Sequence, residues 1–122
     1  MASTDHPRIL LVEDHHDTAF VVRLVLEQQG YEVVCAHSCG DAHASAEGAR
    51  LDLLICDIGL PDGNGVDLLQ ALTLERSLPA IAVSGYGTPD DIRRSLDAGF
   101  VAHLTKPFGM RSLIEAVERA LA

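Results

Sequence analysis

The sequence predicts one α/β domain, a doubly wound parallel sheet of five strands in the order 2-1-3-4-5 with five helices on its two faces. Short apolar segments alternate with segments of helical periodicity, and the apolar segments are mostly continuous at their centres. Such strands, joined by helices, are typical of a parallel sheet covered on both faces. Short loops and right-handed crossovers leave few strand orders. A chain of 122 residues is long enough to bury one core.

The first unit and the second strand follow this alternation. Residues 8–13, RILLVE, are apolar at their centre and flanked by polar residues, which indicates a buried strand. Residues 15–29 carry apolar side chains mostly at helical spacing, and Gly30 is the predicted C-cap. Residues 31–36, YEVVCA, are the second predicted strand.

The third strand leads into a long loop. Before it, the alanine-rich residues 38–48 predict a helix, with Ser38 as N-cap and Gly48 as stop signal. The third strand, LDLLICD at 51–57, ends on an aspartate. The segment GLPDGNG, 59–65, follows as a loop because its proline and glycines break regular structure.

The next elements are a helix, a strand and a helix. Residues 66–76, VDLLQALTLER, predict the third helix, and residues 79–84, PAIAVS, the fourth strand. A loop follows, and then Thr88 or Pro89 opens a helix that runs to Ala98, since proline is favoured in the first helical turn.

The last unit completes the alternation. Residues 100–105, FVAHLT, are the fifth predicted strand, and residues 107–121 the fifth helix. We expect one domain over residues 8–122, preceded by a flexible lead-in at residues 1–7, which contain Ser, Thr, Asp and Pro.

Composition and charge exclude several classes of protein. The formal net charge of −9 argues against a direct nucleic-acid surface, which needs clustered lysine and arginine. No segment approaches the ~18 consecutive apolar residues of a membrane span, and the N-terminus lacks the pattern of a signal peptide. Three cysteines at irregular spacing make a poor framework for disulfides or zinc, so we expect a reducing cytoplasm.

Chemically active residues follow four of the five predicted strands. Glu13 and Asp14 follow the first, Asp57 ends the third, Ser84 ends the fourth, and Lys106, the only lysine, follows the fifth. In a sheet of this order the carboxyl ends of these strands meet at one edge. Crowded carboxylates repel one another, whereas Mg²⁺ prefers carboxylate and phosphate oxygens. An aspartate can also act as a nucleophile that forms an aspartyl-phosphate.

Four motifs in register resemble one known family. They are VED at 12–14, DIGLPDGNG at 57–65, VSGYG at 83–87 and TKPF at 105–108, and the resemblance covers almost all of residues 8–121. The chain resembles the receiver domain of two-component response regulators and is similar to the chemotaxis regulators, which have a flavodoxin-like fold. The motifs are also similar to receivers attached to hybrid sensor histidine kinases.

The resemblance implies a phosphorylation site with a metal ion. Asp57 would accept a phosphoryl group from a phosphohistidine. Asp14 and Asp57 would bind Mg²⁺ (or Mn²⁺) directly, the carbonyl of Gly59 would complete the protein ligands, and Glu13 would act through a water molecule.

The resemblance also implies a conformational switch. Ser84 would move toward the phosphoryl group, Lys106 would pair with it, and the Lys106–Pro107 peptide bond would be cis. His103 stands where the family usually has a tyrosine or phenylalanine that swings inward. Since imidazole is smaller, more polar and titratable near neutral pH, that step is expected to be weak, pH-sensitive or replaced.

The implied function is that of a phosphoacceptor domain in a two-component system or phosphorelay, which switches conformation to alter protein–protein interactions. It would catalyse only its own phosphorylation and dephosphorylation, so it is not predicted to be an enzyme. The expected partner is a sensor histidine kinase or a histidine phosphotransfer protein, and the expected oligomeric state is a monomer or weak dimer.

Two other functions compete with this one. A metal-dependent phosphatase or phosphotransferase usually needs a second acidic residue close behind the nucleophile and a cap, but position 59 is glycine and no insertion could form a cap. A phosphorylation-independent protein-binding module of the same fold predicts a broken site, but every expected site residue is present.

Several residues allow a plain interpretation beside a functional one. His15 and His16 suit a transition-metal site, but a solvated first helical turn is favoured. Cys35 and Cys39 are more readily structural than redox-active, because no feature that would lower a thiol pKa is evident. For His103, a partly exposed strand position is favoured over a pH sensor.

Overall fold

The main sheet has the predicted architecture. A computed structural model describes residues 6–74 and 76–122. Within them, five parallel strands form one sheet in the order β2-β1-β3-β4-β5. The strands are β1 (Arg8–Val12), β2 (Glu32–Ala36), β3 (Leu53–Asp57), β4 (Ala80–Ser84) and β5 (Ala102–Thr105). The predicted fold class and strand order are confirmed.

A helix follows each strand in the described residues. The helices are α1 (His16–Gln28), α2 (Cys39–Ala46), α3 (Gly65–Leu72), α4 (Pro89–Asp97) and α5 (Met110–Leu121). Ser38 and Thr88 are the N-caps of α2 and α4, as the sequence predicts, and each hydroxyl accepts a hydrogen bond from the third amide of its helix. The predicted C-cap Gly30 lies one residue beyond the observed cap, Gln29, at a φ of 95° that glycine tolerates.

The sheet divides the core into two layers. On one face, Ile9 and Ile55 pack in a cluster with buried side chains of α1 and α5. On the other face, Leu10 and Leu54 pack with buried side chains of α2 and α3. Successive residues of a strand point to opposite faces, so a fully apolar strand supplies both layers. This explains why the sequence shows continuous apolar runs at these positions.

The third and fifth helices are shorter than predicted. The third was expected over 66–76, but α3 ends at Leu72, where the Thr73 hydroxyl donates to the carbonyl of Leu69 at 2.7 Å. Such side-chain bonds compete with continuation of a helix. The predicted residue 75 lies outside the described residues. The fifth was expected from 107, but its N-cap Gly109 has extended backbone with ψ of 154°, so α5 begins at Met110.

The fifth strand and the loop after β3 also differ from expectation. The fifth strand was predicted from 100 but begins at Ala102, because the amide of Phe100 donates to the carbonyl of Ser95 and closes the turn after α4. The predicted loop 59–65 contains a short antiparallel ribbon. We call this element the ribbon; it pairs Gly59–Leu60 with Gly63–Asn64.

Two further expectations concern the N-terminal lead-in and membrane-spanning segments. Of the predicted lead-in, residues 1–5 lie outside the described residues, and His6 and Pro7 precede β1 without regular structure. In the described part of the chain, no helix combines the length and the apolar character that crossing a membrane requires.

Candidate functional site

An acidic site forms where β1, β3 and β5 end. Val12 pairs with Cys56 in the sheet register, and Asp57 pairs with Val83 of β4, so the carboxyl ends of these strands are adjacent. This edge carries the buried side chains of Glu13, which is 3% exposed, and of Asp57, which is 8% exposed. Buried carboxylates are costly unless they are paired or bind metal, so their environment decides what the site can do.

Lys106 provides the cation that pairs with both buried carboxylates. Its Nζ lies 2.8 Å from Glu13 Oε1 and 2.8 Å from Asp57 Oδ2. Burial by itself lowers the pKa of Lys106, but its hydrogen bonds and charge interactions with Asp57 and Glu13 outweigh this, so the pKa is raised and the side chain is charged at neutral pH. The one lysine of the chain thus lies where a compact ammonium group reaches two carboxylates at once.

The remaining carboxylate oxygens face backbone amides and one imidazole. Asp57 Oδ1 accepts a hydrogen bond from the amide of Gly59 at 3.2 Å, and Glu13 Oε2 accepts one from the amide of His15 at 3.1 Å. The His15 Nδ1 lies 3.4 Å from Glu13 Oε2 and 3.6 Å from Asp14 Oδ1. Among the described residues, Lys106 is the one lysine or arginine paired with this cluster, and it contacts Glu13 and Asp57, so the site holds more acidic groups than basic partners.

This donor set fits a divalent cation. Mg²⁺ takes oxygen ligands and is typically held by one or two carboxylates together with phosphate oxygens and water. Asp14, Asp57 and the Gly59 carbonyl could supply such oxygens, and the uncompensated negative charge of the site favours an ion of charge +2. Gly59 is exposed and Asp14 is half-buried, so water can reach both of these potential ligands.

The histidines near this site separate into two groups. Glu13, Asp14 and His15 form a group of potential metal ligands whose donor atoms all lie within 4.8 Å of one another. His16 instead stacks on His37, with ring centroids 3.8 Å apart. His15, whose side chain is 73% exposed, and His16 both lie at the exposed start of α1, which fits the plainer interpretation of a solvated first helical turn.

Ser84 is buried beside Asp57, and its hydroxyl is already engaged. Its Oγ accepts a hydrogen bond from the amide of Tyr86 at 3.0 Å, and its carbonyl accepts one from the amide of Lys106 at 2.8 Å. These bonds connect the end of β4 both to the loop before α4 and to the lysine after β5. The peptide bond between Lys106 and Pro107 is cis.

His103 lies outside the acidic site. Its Nδ1 is 2.8 Å from Ser95 Oγ on α4, and its Nε2 is 3.1 Å from the carbonyl of Tyr86. The ring is half-buried and bridges α4 to the loop that follows Ser84. The histidine thus contacts α4 and the loop before it through hydrogen bonds, where an aromatic ring would offer mainly apolar packing.

Two neighbours of the site escape sequence reasoning. Asp62 accepts hydrogen bonds from the first two amides of α2, and His37 Nδ1 lies 2.9 Å from the carbonyl of Glu13. In the sequence Asp62 is indistinguishable from an ordinary turn aspartate between proline and glycine. The position of His37 directly after β2 was the one available signal, since other strands also end in polar residues that face this edge.

The cysteines are free and structural in character. All three, Cys35, Cys39 and Cys56, carry free thiols, and burial raises the pKa of each of them. A raised pKa disfavours the reactive thiolate, which supports the structural interpretation of Cys35 and Cys39.

Comparisons with solved structures agree with this fold. The CheY-like response regulator receiver domain protein of Methanospirillum hungatei is 34% identical, with a TM-score of 0.87 over 96% of this chain and 94% of that one. The chemotaxis response regulator CheY4 of Vibrio cholerae is 26% identical, with a TM-score of 0.89 over 96% of this chain and 100% of that one.

Curated relatives include longer proteins. The transcriptional regulatory protein PdtaR of Mycobacterium tuberculosis is 32% identical over 94% of this chain and 57% of its own length. The transcriptional regulatory protein CpxR of Escherichia coli is 32% identical over 93% of this chain and 49% of its own length. The chain thus spans about half the length of these relatives. The family described as response regulator receiver domain matches residues 9–118, and the chain belongs to this family of two-component signalling domains.

Proposed function

We propose that this domain is a phosphoacceptor switch in which Asp57 accepts a phosphoryl group from a phosphohistidine on a partner protein, with Mg²⁺ or Mn²⁺ bound at the acidic edge. The observation that carries this proposal is the position of Lys106, whose Nζ lies 2.8 Å from both Glu13 and Asp57. A nucleophilic carboxylate beside a fixed ammonium group and further acidic ligands is the arrangement that phosphoryl transfer needs.

The chemical step is a transfer between two side chains. A carboxylate oxygen of Asp57 would form a bond to phosphorus while the phosphorus–nitrogen bond of the phosphohistidine breaks. The imidazole nitrogen would keep the electron pair of that bond and take up a proton. A divalent ion held by Asp14, Asp57 and the Gly59 carbonyl, with Glu13 acting through water, would neutralise charge on the phosphoryl oxygens. The domain would thus catalyse its own phosphorylation, with the partner's phosphohistidine as the phosphoryl donor.

The expected response begins at Ser84 and Lys106. A phosphoryl group adds a charge of about −1.5 to −2 and three acceptor oxygens. Lys106 would pair with one of these oxygens, and the Ser84 hydroxyl would donate to another. Since the amide of Tyr86 donates to the Ser84 hydroxyl, and the Tyr86 carbonyl contacts His103, this capture would act directly on the loop before α4. The loop and α4 would then shift between two populations.

The proposed docking surface for the phosphodonor is an apolar groove of this domain, next to the acidic site. A groove of about 620 Å³ lies between α1 and the segment after β5, and its lining residues include Val21, Phe108 and Met110. Lys106 also lines this groove, so its floor is continuous with the acidic site. On the neighbouring surface of α1, Phe20 is 53% exposed. An apolar helix surface of a histidine kinase or phosphotransfer protein would fit here and present its phosphohistidine to Asp57. The free thiols fit a reducing cytoplasm as the setting.

Intact-mass spectrometry tests this function. The protein would be incubated with acetyl phosphate or phosphoramidate, with Mg²⁺ or with EDTA. We expect a labile gain of one phosphoryl mass that requires Mg²⁺ and disappears in Asp57→Asn. Asp52→Asn is a matched control, because Asp52 directly precedes the strand that Asp57 ends. Its carboxylate accepts a hydrogen bond from the amide of Arg8, away from the acidic site. This variant should be phosphorylated as the wild type is.

Absence of the adduct would contradict the proposal. If Mg²⁺ binds, as followed by NMR shifts of the Asp57 and Gly59 amides, and no phosphoryl mass appears with either donor, the phosphorylation-independent binding module becomes the better description. An adduct that persists in Asp57→Asn would place the acceptor at another residue.

A further inference from the structure

The ribbon after β3 is fastened to the start of α2 by one carboxylate. Asp62, at the turn of the ribbon, accepts a hydrogen bond from the amide of Cys39 at 2.7 Å through Oδ1 and one from the amide of Gly40 at 3.0 Å through Oδ2. These are the first two amides of α2, and they are 23 and 22 residues away in the chain. Such amides have no partner within their own helix, so the ribbon supplies partners that α2 lacks.

Two residues, Ser38 and Asp62, accept hydrogen bonds from different amides at the start of α2. The third amide, of Asp41, donates to its N-cap Ser38 at 3.1 Å, and the fourth, of Ala42, donates to the carbonyl of Ser38 at 3.0 Å. Ser38 therefore caps α2 locally, while Asp62 caps it from a distant segment. The two caps lie on the same helix end, but of the two only Asp62 comes from the ribbon and joins it to α2.

The segment from the turn of the ribbon to the start of α3 is closely packed. A Cβ added at Gly63, next to Asp62, would lie 2.9 Å from Cys39 Sγ, so the turn lies directly against the first residue of α2. A Cβ added at Gly65, the first residue of α3, would lie 2.7 Å from the carbonyl oxygen of Asp57, so the chain directly after the ribbon lies against the backbone of Asp57. The ribbon therefore spans the distance from the acidic site to α2.

Gly59 depends on these contacts for its position. It is exposed, and a Cβ built on it would meet no atom within 4 Å, so side-chain packing does not hold it. Its amide donates to Asp57 Oδ1, and it pairs with Asn64 in the ribbon. The position of the Gly59 peptide is therefore set by Asp57 on one side and by the ribbon on the other, and Asp62 anchors the ribbon.

We propose that Asp62 is a positioning residue for the divalent-cation site, because its carboxylate anchors the ribbon to α2 and thereby holds the Gly59 peptide in place beside Asp57. This inference rests on the proposed function, in which the Gly59 carbonyl is a ligand of the ion. The bonds are charge-assisted and point into a helix N-terminus, where negative charge is favoured. In keeping with this, the hydrogen bonds from the amides of Cys39 and Gly40 lower the pKa of Asp62 below its ordinary value.

The test compares Asp62→Ala and Asp62→Asn with Ser38→Ala as a matched control. Each protein is titrated with Mg²⁺ while the Asp57 and Gly59 amides are followed by NMR, and hydrogen exchange of the ribbon amides is measured without metal. The titrations are run in about 0.15 M salt, which limits the reach of an exposed charge such as that of Asp62 to about 8 Å. We expect Asp62→Ala to weaken Mg²⁺ binding about tenfold, as loss of outer-shell partners typically does, and to speed exchange in the ribbon.

The other two variants separate anchoring from its alternatives. Asp62→Asn removes the same charge but keeps one acceptor oxygen, so it should retain part of the affinity; equal losses in Asp62→Asn and Asp62→Ala would mean that charge alone matters. Ser38→Ala removes a cap of the same helix without touching the ribbon, so it should leave Mg²⁺ affinity and ribbon exchange near wild type. Equal losses in Ser38→Ala and Asp62→Ala would reduce Asp62 to a general stabiliser of α2.

The outcomes also distinguish this inference from the function on which it rests. If the wild type binds Mg²⁺ at Asp57 and Asp62→Ala binds it equally well, Asp62 has no positioning role, while the proposed function stands. If the wild type shows no Mg²⁺-dependent shifts at Asp57 and Gly59, the proposed metal site is refuted, and the role of Asp62 falls with it.

Discussion

Replacing Lys106 with methionine should have opposite effects on the metal-free protein and on metal binding. The substitution keeps most of the aliphatic stem but removes the ammonium group that lies 2.8 Å from Glu13 and from Asp57. Both carboxylates are then left buried without this cation. Removing one partner of a buried ion pair typically costs about 3–5 kcal/mol. Since the Lys106 side chain is 25% exposed, we expect the lower end, about 3 kcal/mol of unfolding free energy.

The same substitution should tighten Mg²⁺ binding. The ammonium group lies 2.8 Å from Asp57 Oδ2, and Mg²⁺ sits about 2.1 Å from a ligand oxygen. Both cations on Asp57 would therefore be roughly 4–5 Å apart. Even at the dielectric constant of water, about 80, charges of +1 and +2 at this separation repel by about 2 kcal/mol. Removing that repulsion should raise Mg²⁺ affinity by roughly 20-fold.

Urea denaturation followed by far-ultraviolet circular dichroism measures both effects. In EDTA, Lys106→Met should unfold at a lower urea concentration than wild type, and saturating Mg²⁺ should recover more stability in the variant than in the wild type, because binding to the folded state stabilises it. Arg8→Met is the control, since it removes an exposed ion pair with Glu32 far from the site. It should show little change in EDTA and the same gain with Mg²⁺ as the wild type. Equal stability of Lys106→Met and wild type in EDTA, or equal gains with Mg²⁺, would refute this account of the lysine.

Two further predictions concern elements beside the site. Thr88→Ala should cost about 1 kcal/mol of unfolding free energy by urea denaturation, because it breaks the capping box of α4. The hydrogen bond from the Thr88 hydroxyl lowers the pKa of Asp91 below its ordinary value of 3.8. The stability that this bond contributes is therefore present above pH 3.8 and is lost as the pH falls through the lowered pKa, so the cost of Thr88→Ala should shrink toward pH 3. A cost that stays constant with pH would contradict the capping role of Asp91. Gly65→Ala should cost roughly 1–3 kcal/mol by overpacking against the Asp57 carbonyl, whereas Gly85→Ala, with no atom within 4 Å, should remain near wild type in the same assay.

The sheet order made most of the acidic edge predictable. Once the apolar runs are taken as parallel strands of order 2-1-3-4-5, the residues after β1, β3, β4 and β5 must meet at one edge. The proximity of Glu13, Asp57 and Lys106 follows from that topology. The catalytic and metal-binding roles proposed for them rest on chemistry and family resemblance, and the experiments above test those roles.

Other contacts could not be predicted because they depend on where loops lie. The helical pattern of α3 continues in the sequence past its observed end, and only the hydrogen bond from Thr73 shows where the helix stops. The bonds of Asp62 join a loop to a helix 22 residues earlier, a pairing that no periodicity encodes. The ring of His103 was expected at the surface of a strand, but its two hydrogen bonds require the final placement of α4 and of the loop after β4.

The way α4 is attached has a thermodynamic consequence. Its one buried residue is a serine, Ser95, whose hydroxyl lies in hydrogen-bond contact with His103 of β5. A helix seated on an apolar stripe exposes hydrocarbon when it moves, and that exposure raises the heat capacity. Moving α4 would mainly exchange hydrogen bonds for others made with water. A repositioning of this helix should therefore have a small heat-capacity change. The free-energy difference between its two proposed positions would then depend almost linearly on temperature.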